Sequence, residues 1–243
     1  MICIRRFRDP WEVLRAYATG RPPARRLVRL RSGLTIQLSG DPRDIQTVFG
    51  VFAREGYGRI ARGSTVVDIG ANIGVFALFA AWSGAAIVHA YEPCAESFAV
   101  LQRNVAGNHL EAVIRPHRQA VVGRPSGTVM FPRRSNAFNA IATGTLPSED
   151  HERVPAVTLS EVLAPIGPLD VLKVDGEGAE FEMVPNTPCA IMSGVSSIKL
   201  QYHAGPRDVL VAALVACGFR VKQLIDEGPR GGYLWLTRQQ ESE

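Results

Sequence analysis

One stretch constrains this chain more than any other: Val66-Val67-Asp68-Ile69-Gly70-Ala71-Asn72-Ile73-Gly74. Residues 65–69 are a short β-branched run with one acid, the pattern of a parallel strand covered on both faces. Gly70 stands where the chain must reverse and where a Cβ would block a ligand's approach. Asn72 suits the turn and the cap of the helix that follows. Residues 73–82 are apolar nearly all round, so that helix is expected to be buried. A strand, a glycine turn and a helix N-terminus place a nucleotide-like ligand at the carboxyl edge of a sheet.

The acids narrow the ligand. A second strand over 86–91 ends in Glu92, 24 residues after Asp68, where a carboxylate accepts both ribose hydroxyls of an adenosine. Asp68 before Gly70, and a four-residue step from Gly70 to Gly74, do not make the G-x-G-x-x-G loop that grips a pyrophosphate. An acidic, phosphate-free pocket suits a cationic adenosine such as S-adenosylmethionine (SAM). The alternative is another α/β protein in which Asp68 and Gly70 only shape the turn.

Around this centre the pattern alternates strand and helix. Residues 11–18 read as a helix, 27–30 and 34–38 as a hairpin, and 44–55 as one amphipathic helix. Together, 1–58 would form a basic arm and small helix/hairpin cap, and 59–243 the main domain. Then come a helix over 96–106, a strand over 113–119, and a short strand over 127–131 expected to hairpin with the residues before it. Residues 132–153 are polar and without period, so a lid or substrate loop, or else a disordered segment, is expected. A helical turn over 160–163, strands over 169–174 and 196–201, a helix over 208–217 closed by Gly218, and a strand pair over 219–225 and 233–237 complete the chain. The expected class is α/β, a doubly wound, mainly parallel sheet with an antiparallel edge.

Composition excludes some partners. Of 243 residues, 46% are apolar and 21% charged, as in a globular protein. The net charge of +4 is concentrated in residues 1–31, with nine Arg against Asp9 and Glu12. No apolar stretch is long enough to span a bilayer and no secretory segment follows Met1, so a cytoplasmic protein is expected. Cys3, Cys94, Cys189 and Cys217 lie far apart without C-x-x-C, and are expected to be reduced thiols, neither a disulfide frame nor a zinc site.

The second chemical cluster is Leu172-Lys173-Val174-Asp175-Gly176-Glu177-Gly178-Ala179-Glu180, at the carboxyl end of the strand over 169–174. Three acids in six residues repel one another, so a raised pKa or a shared cation is expected there. The blocks at 68–74, 92–93 and 172–180 resemble the FkbM family of SAM-dependent methyltransferases, whose D-I-G-A-N-I-G, E-P and L-K-[IV]-D-x-E-G-x-E motifs they match. Weaker echoes at 44–57, 120–121, 158–159 and 218–219 extend the resemblance over 40–237.

That resemblance implies a Rossmann-like seven-stranded methyltransferase fold. It implies cofactor contacts at Asp68, Gly70, Ala71, Asn72, Gly74, Glu92, Pro93, Ala120 and Asp175. It implies O-methylation of a small secondary metabolite, sugar or lipid; the candidate bases are Asp175 and His203, and no metal ligand is assigned, although Asp175, Glu177 and Glu180 leave a metal-assisted mechanism open. Gln201 stands where the family often has an acid. Two readings compete: a nucleic-acid methyltransferase using the basic arm, and a non-catalytic SAM-binding or NAD-dependent α/β protein. Against the first, the chain has no D/N-P-P-Y block and no aromatic stacking platform in the arm.

Overall fold

The computed structural model describes residues 5–133 and 150–239. The chain opens with α1 (Pro10–Thr19), which has proline in its first turn and is closed by Gly20 at φ +67°. β1 (Leu27–Arg29) and β2 (Thr35–Gln37) form the expected hairpin, with Val28 opposite Ile36. α2 (Pro42–Val48) is capped by Asp41, whose side chain accepts the Arg43 N–H at 2.8 Å.

The single helix expected over 44–55 is corrected here. After Val48 the chain widens into a π-helical turn, Phe49–Ala53, in which Arg54 N–H reaches back five residues to the Phe49 carbonyl at 3.0 Å. The physical reason is packing: Val51, Phe52 and Ala53 are all buried, more consecutive residues than one α-helical stripe can cover.

The main sheet starts with β3 (Thr65–Ile69), followed by α3 (Val75–Ser83), β4 (Ile87–Tyr91), α4 (Ala95–Gly107) and β5 (Ile114–His117). The chain then builds β6 (Ala120–Val122), β7 (Thr128–Pro132), β8 (His151–Thr158) and α5 (Leu159–Leu163). It closes with β9 (Leu169–Asp175), α6 (Glu180–Met183), α7 (Cys189–Met192), β10 (Val195–His203), α8 (Arg207–Ala216), β11 (Phe219–Asp226) and β12 (Gly231–Arg238). Seven strands pair in the order β11-β12-β10-β9-β3-β4-β5. The five from β10 to β5 are parallel, and β12 runs antiparallel between β10 and β11. Helices lie on both faces: Phe76 and Leu101 pack on one side with Val66 and Val171, Leu159 and Leu214 on the other with Val67 and Leu172. Phe7, Ile36, Ile45 and Phe52 of the N-terminal elements share the first of these cores. The expected α/β, Rossmann-like seven-stranded fold is therefore present. Among the described residues no helix is long and apolar enough to cross a membrane.

Two further expectations are corrected. β7 does not hairpin with the residues before it; it pairs antiparallel with β8, which also pairs parallel with β6. Residues 151–153, read as part of a loop, belong to β8, while 134–149 lie outside the described residues. Charge concealed this strand: Glu152 pairs with Arg118 and Arg133, and only Val154 and Thr158 of β8 are buried. Second, Cys189 and Cys217 form a disulfide that joins α7 to the end of α8, with Cα atoms 4.8 Å apart. The two cysteines are 28 residues apart, so no local spacing announces the bond. Cys94 is free and buried, and Cys3 lies outside the described residues.

Candidate functional site

The loop after β3 is tied to the end of β4 by its backbone. Gly70 and Ala71 N–H groups both donate to the Tyr91 carbonyl, at 3.1 and 3.0 Å. Gly70, Asn72 and Gly74 all take positive φ, at +71°, +49° and +87°. A Cβ at Gly70 would overlap the Asp175 carbonyl oxygen, so this glycine lets the loop approach the end of β9. A Cβ at Gly74 would overlap Leu101, so that glycine serves the packing of α4. Asn72 makes the turn, but α3 begins after Gly74 with no side-chain cap, so its expected capping role is absent.

Glu92 receives this loop. One of its oxygens accepts the Asn72 N–H and the other the Cys94 N–H, each at 2.8 Å, with Pro93 setting the bend between them. Glu92 is 6% exposed, and burial pushes its carboxyl up to about 7 against the pull of those two amides and Lys173. Its own N–H donates to the His117 carbonyl at 3.0 Å, which draws the end of β5 alongside. Ala120, three residues further on, is buried at the start of β6.

Asp68 and Lys173 face each other across the β3–β9 register, both buried, with Lys173 Nζ 3.0 Å from Asp68 Oδ1. The same ammonium donates to the Ile69 and Gly70 carbonyls at 3.1 and 2.7 Å, and lies 3.8 Å from Asp175 Oδ2. Burial works against its charge, but Asp68, Asp175 and Glu92 outweigh it and raise its pKa. Lys173 thus ties the loop after β3 to β9, a role that sequence reading missed. The signal was there: a lysine inside an otherwise apolar, doubly covered strand needs a buried counter-charge.

At the carboxyl ends of β9 and β10 the remaining acids meet. β9 and β10 pair Asp175 with Gln201, and His203 lies two residues beyond. Glu180 is fully buried and accepts the His203 backbone N–H at 2.8 Å and the Gly178 N–H at 2.9 Å. His203 Nδ1 lies 3.0 Å from Glu180, and its Nε2 lies 3.3 Å from Glu177 Oε2 and 3.7 Å from Asp175 Oδ1. Burial opposes the imidazolium, but Glu180, Asp175 and Glu177 together raise the pKa of His203. Burial also raises that of Glu177, which His203 opposes and Asp175 reinforces. Tyr57, missed as a site residue, is 8% exposed and packs edge-on to Phe76. Burial, then Asp175, Tyr233 and Asp68, hold its phenol well above its usual value, so it lies close to the acids of the site. Tyr233, opposite Gln201 on β12, is pushed up to about 12, by burial first.

The sheet therefore gathers Asp68, Gly70, Ala71, Asn72, Glu92, Pro93, Asp175 and His203 at the carboxyl ends of β3, β4, β9 and β10. Gly74 turns to helix packing, and Ala120 sits one strand further along. Solved structures with a similar path include a ribosomal protein L11 methylase from Lactobacillus delbrueckii subsp. bulgaricus, at 17% identity and TM-score 0.46, covering 83% of this chain and 81% of that one. Another is a protein of the NADB-Rossmann superfamily from Streptococcus agalactiae, at 13% and 0.47, covering 78% and 68%. A third is M. capricolum TrmK in complex with S-adenosyl-homocysteine, at 12% and 0.44, covering 74% and 63%. No curated protein matches the chain. The model of the methyltransferase FkbM domain matches residues 68–206, more than half of the chain, a span that includes Asp68, Glu92, Lys173, Asp175 and His203. The chain belongs to the FkbM family of methyltransferases, and its cofactor is S-adenosylmethionine.

Proposed function

We propose that the chain methylates a hydroxyl oxygen of a small-molecule acceptor. The observation that supports this most is Asp175: a carboxylate, 24% exposed, at the rim beside the cofactor loop. A hydroxyl must lose its proton to become a good nucleophile, and a positioned base contributes about 10²- to 10⁴-fold. Asp175 is the acceptor of that proton in this reading. Against the pull of burial, its acidic neighbours raise the pKa of His203, which makes it a less available base than Asp175. It serves instead as a positioning residue, held by Glu180 and facing Asp175.

The residues fit the cofactor. Each Glu92 oxygen accepts one backbone N–H and keeps a second lone-pair direction for a ribose hydroxyl. Lys173 is engaged by Asp68 and two carbonyls, so the loop offers no free cation to a pyrophosphate. When bound, the cofactor supplies an electrophilic methyl carbon on a sulfonium. The chain's task is to orient the acceptor and exclude water, which supplies about 7–11 kcal/mol at best. The buried Tyr57 and the partly buried Tyr233 both lie close enough to Asp175 for its charge to raise their phenols.

The test is transfer of labelled methyl from SAM to a panel of hydroxylated small molecules, with RNA in parallel. Asp175→Asn is expected to retain SAM affinity and to lose turnover by about 10²-fold or more. Label entering RNA alone, or full turnover by Asp175→Asn, overturns the reading.

A further inference from the structure

The rim cluster contains a position that its own side chains leave unanswered. Glu180 accepts N–H groups from His203 and Gly178, so His203 Nδ1 donates to it and the ring's orientation is set. The other ring nitrogen, Nε2, then faces Glu177 Oε2 at 3.3 Å and Asp175 Oδ1 at 3.7 Å. One donor atom from each of Asp175, Glu177 and His203 lies within 4.8 Å of the others. Asp175 Oδ1 is shielded from solvent and accepts no hydrogen bond. A buried carboxylate oxygen without a partner is costly. A proton on Nε2 reaches Glu177 at hydrogen-bond distance but leaves Asp175 Oδ1 at 3.7 Å, too far to be satisfied.

We propose that Asp175, Glu177 and His203 bind a divalent transition-metal ion. An ion about 2.0–2.2 Å from three ligands sets them roughly 3–3.6 Å apart, so small side-chain rotations close the cluster around it. One imidazole with two carboxylates favours manganese, iron, cobalt or zinc over the all-oxygen preference of magnesium and calcium. Glu180 on the far ring nitrogen is the outer partner that orients a metal-bound histidine. Three protein ligands leave coordination positions open on the side of Asp175 where the proposed acceptor lies. This part rests on the hydroxyl reading above: an acceptor oxygen on the ion would lose its proton more readily. Metal and proton compete for Nε2, so the loaded and unloaded sites are distinct states.

The test uses the full chain stripped with a chelator and titrated with Mn²⁺, followed by the loss of free-ion paramagnetic resonance. One site per chain is expected, with a nitrogen coupling from the imidazole. Glu177→Gln and His203→Gln are each expected to weaken it at least tenfold, and His203→Gln to remove the nitrogen coupling. SAM titration of both variants shows that the fold persists. Absence of Mn²⁺ binding, or binding that neither variant weakens, overturns the metal site. Methyl transfer that survives the chelator overturns the ion's part in the reaction while leaving the hydroxyl reading intact. A stripped and reloaded protein that binds Mn²⁺ but transfers label only to RNA overturns the hydroxyl reading and leaves the metal site standing.

Discussion

Replacing Glu92 with Gln is expected to stabilise the unliganded protein at alkaline pH and to weaken its hold on the cofactor. The Glu92 carboxyl rises from 4.5 to about 7 because burial disfavours its charge. In the unfolded chain the group ionises near its ordinary value. Between those two pKa values the folded protein holds a proton that the unfolded chain has released, so this group's contribution to stability falls as pH rises through the window. The whole shift corresponds to about 3 kcal/mol, of which roughly 2.5 kcal/mol falls between pH 5 and pH 8. Gln cannot ionise and escapes this loss. Its amide NH2 would face one of the two N–H groups from Asn72 and Cys94, which costs about 1–2 kcal/mol at every pH. Urea unfolding of parent and variant at both pH values separates the two effects. The variant's stability relative to the parent should improve by roughly 2–3 kcal/mol between pH 5 and pH 8. In the same variant SAM should bind about 10- to 100-fold more weakly, as two charge-assisted hydrogen bonds to the ribose are lost. An unchanged difference between the two pH values would refute the account of Glu92 as a buried, destabilised carboxylate.

Other expectations follow from the same geometry. Gly70→Ala forces a Cβ at φ +71° into the Asp175 carbonyl, and should abolish the stabilisation by SAM seen in thermal shift; a normal shift would show that the loop tolerates it. Lys173→Met leaves Asp68 buried without its counter-charge and should cost about 3–5 kcal/mol, much of it recovered by adding Asp68→Asn. If the double variant is no better than the single one, the pair is not coupled. Replacing Cys189 and Cys217 with Ser removes a crosslink spanning 28 residues and should lower unfolding free energy by about 3–4 kcal/mol. Equal denaturation midpoints for parent and variant under oxidising conditions would show that the bond does not form in solution.

The central strands were legible because burial on both faces made each a short, mostly apolar run between turn signals. β3, β4 and β9 are each a run of that kind, and the acids at their ends stand out against it. The same logic located Glu92 and Asp175 without a structure. It could not assign Lys173, because its partner Asp68 lies 105 positions away and is found only through the β3–β9 register. Tyr57 escaped sequence reading, since nothing local says which sheet face its ring will cover.

The errors share one cause. β8 carries His151, Glu152 and Arg153 at its start, and local polarity alone says loop; its partners β6 and β7 are what make it a strand. The π-helical turn after α2 and the Cys189–Cys217 bond likewise depend on surfaces supplied by distant segments. The convergence of the charged residues escaped this limit for a topological reason. A parallel sheet brings the carboxyl ends of all its strands to one edge, so motifs that end such strands converge whatever their distance in sequence. Asp68, Glu92, Asp175 and His203 are four instances. What topology does not supply is the fine placement within that edge. Glu180, reaching back from α6 to the backbone and ring of His203, supplies it here, and it converts three neighbouring acids and a histidine from a repulsive cluster into an oriented one.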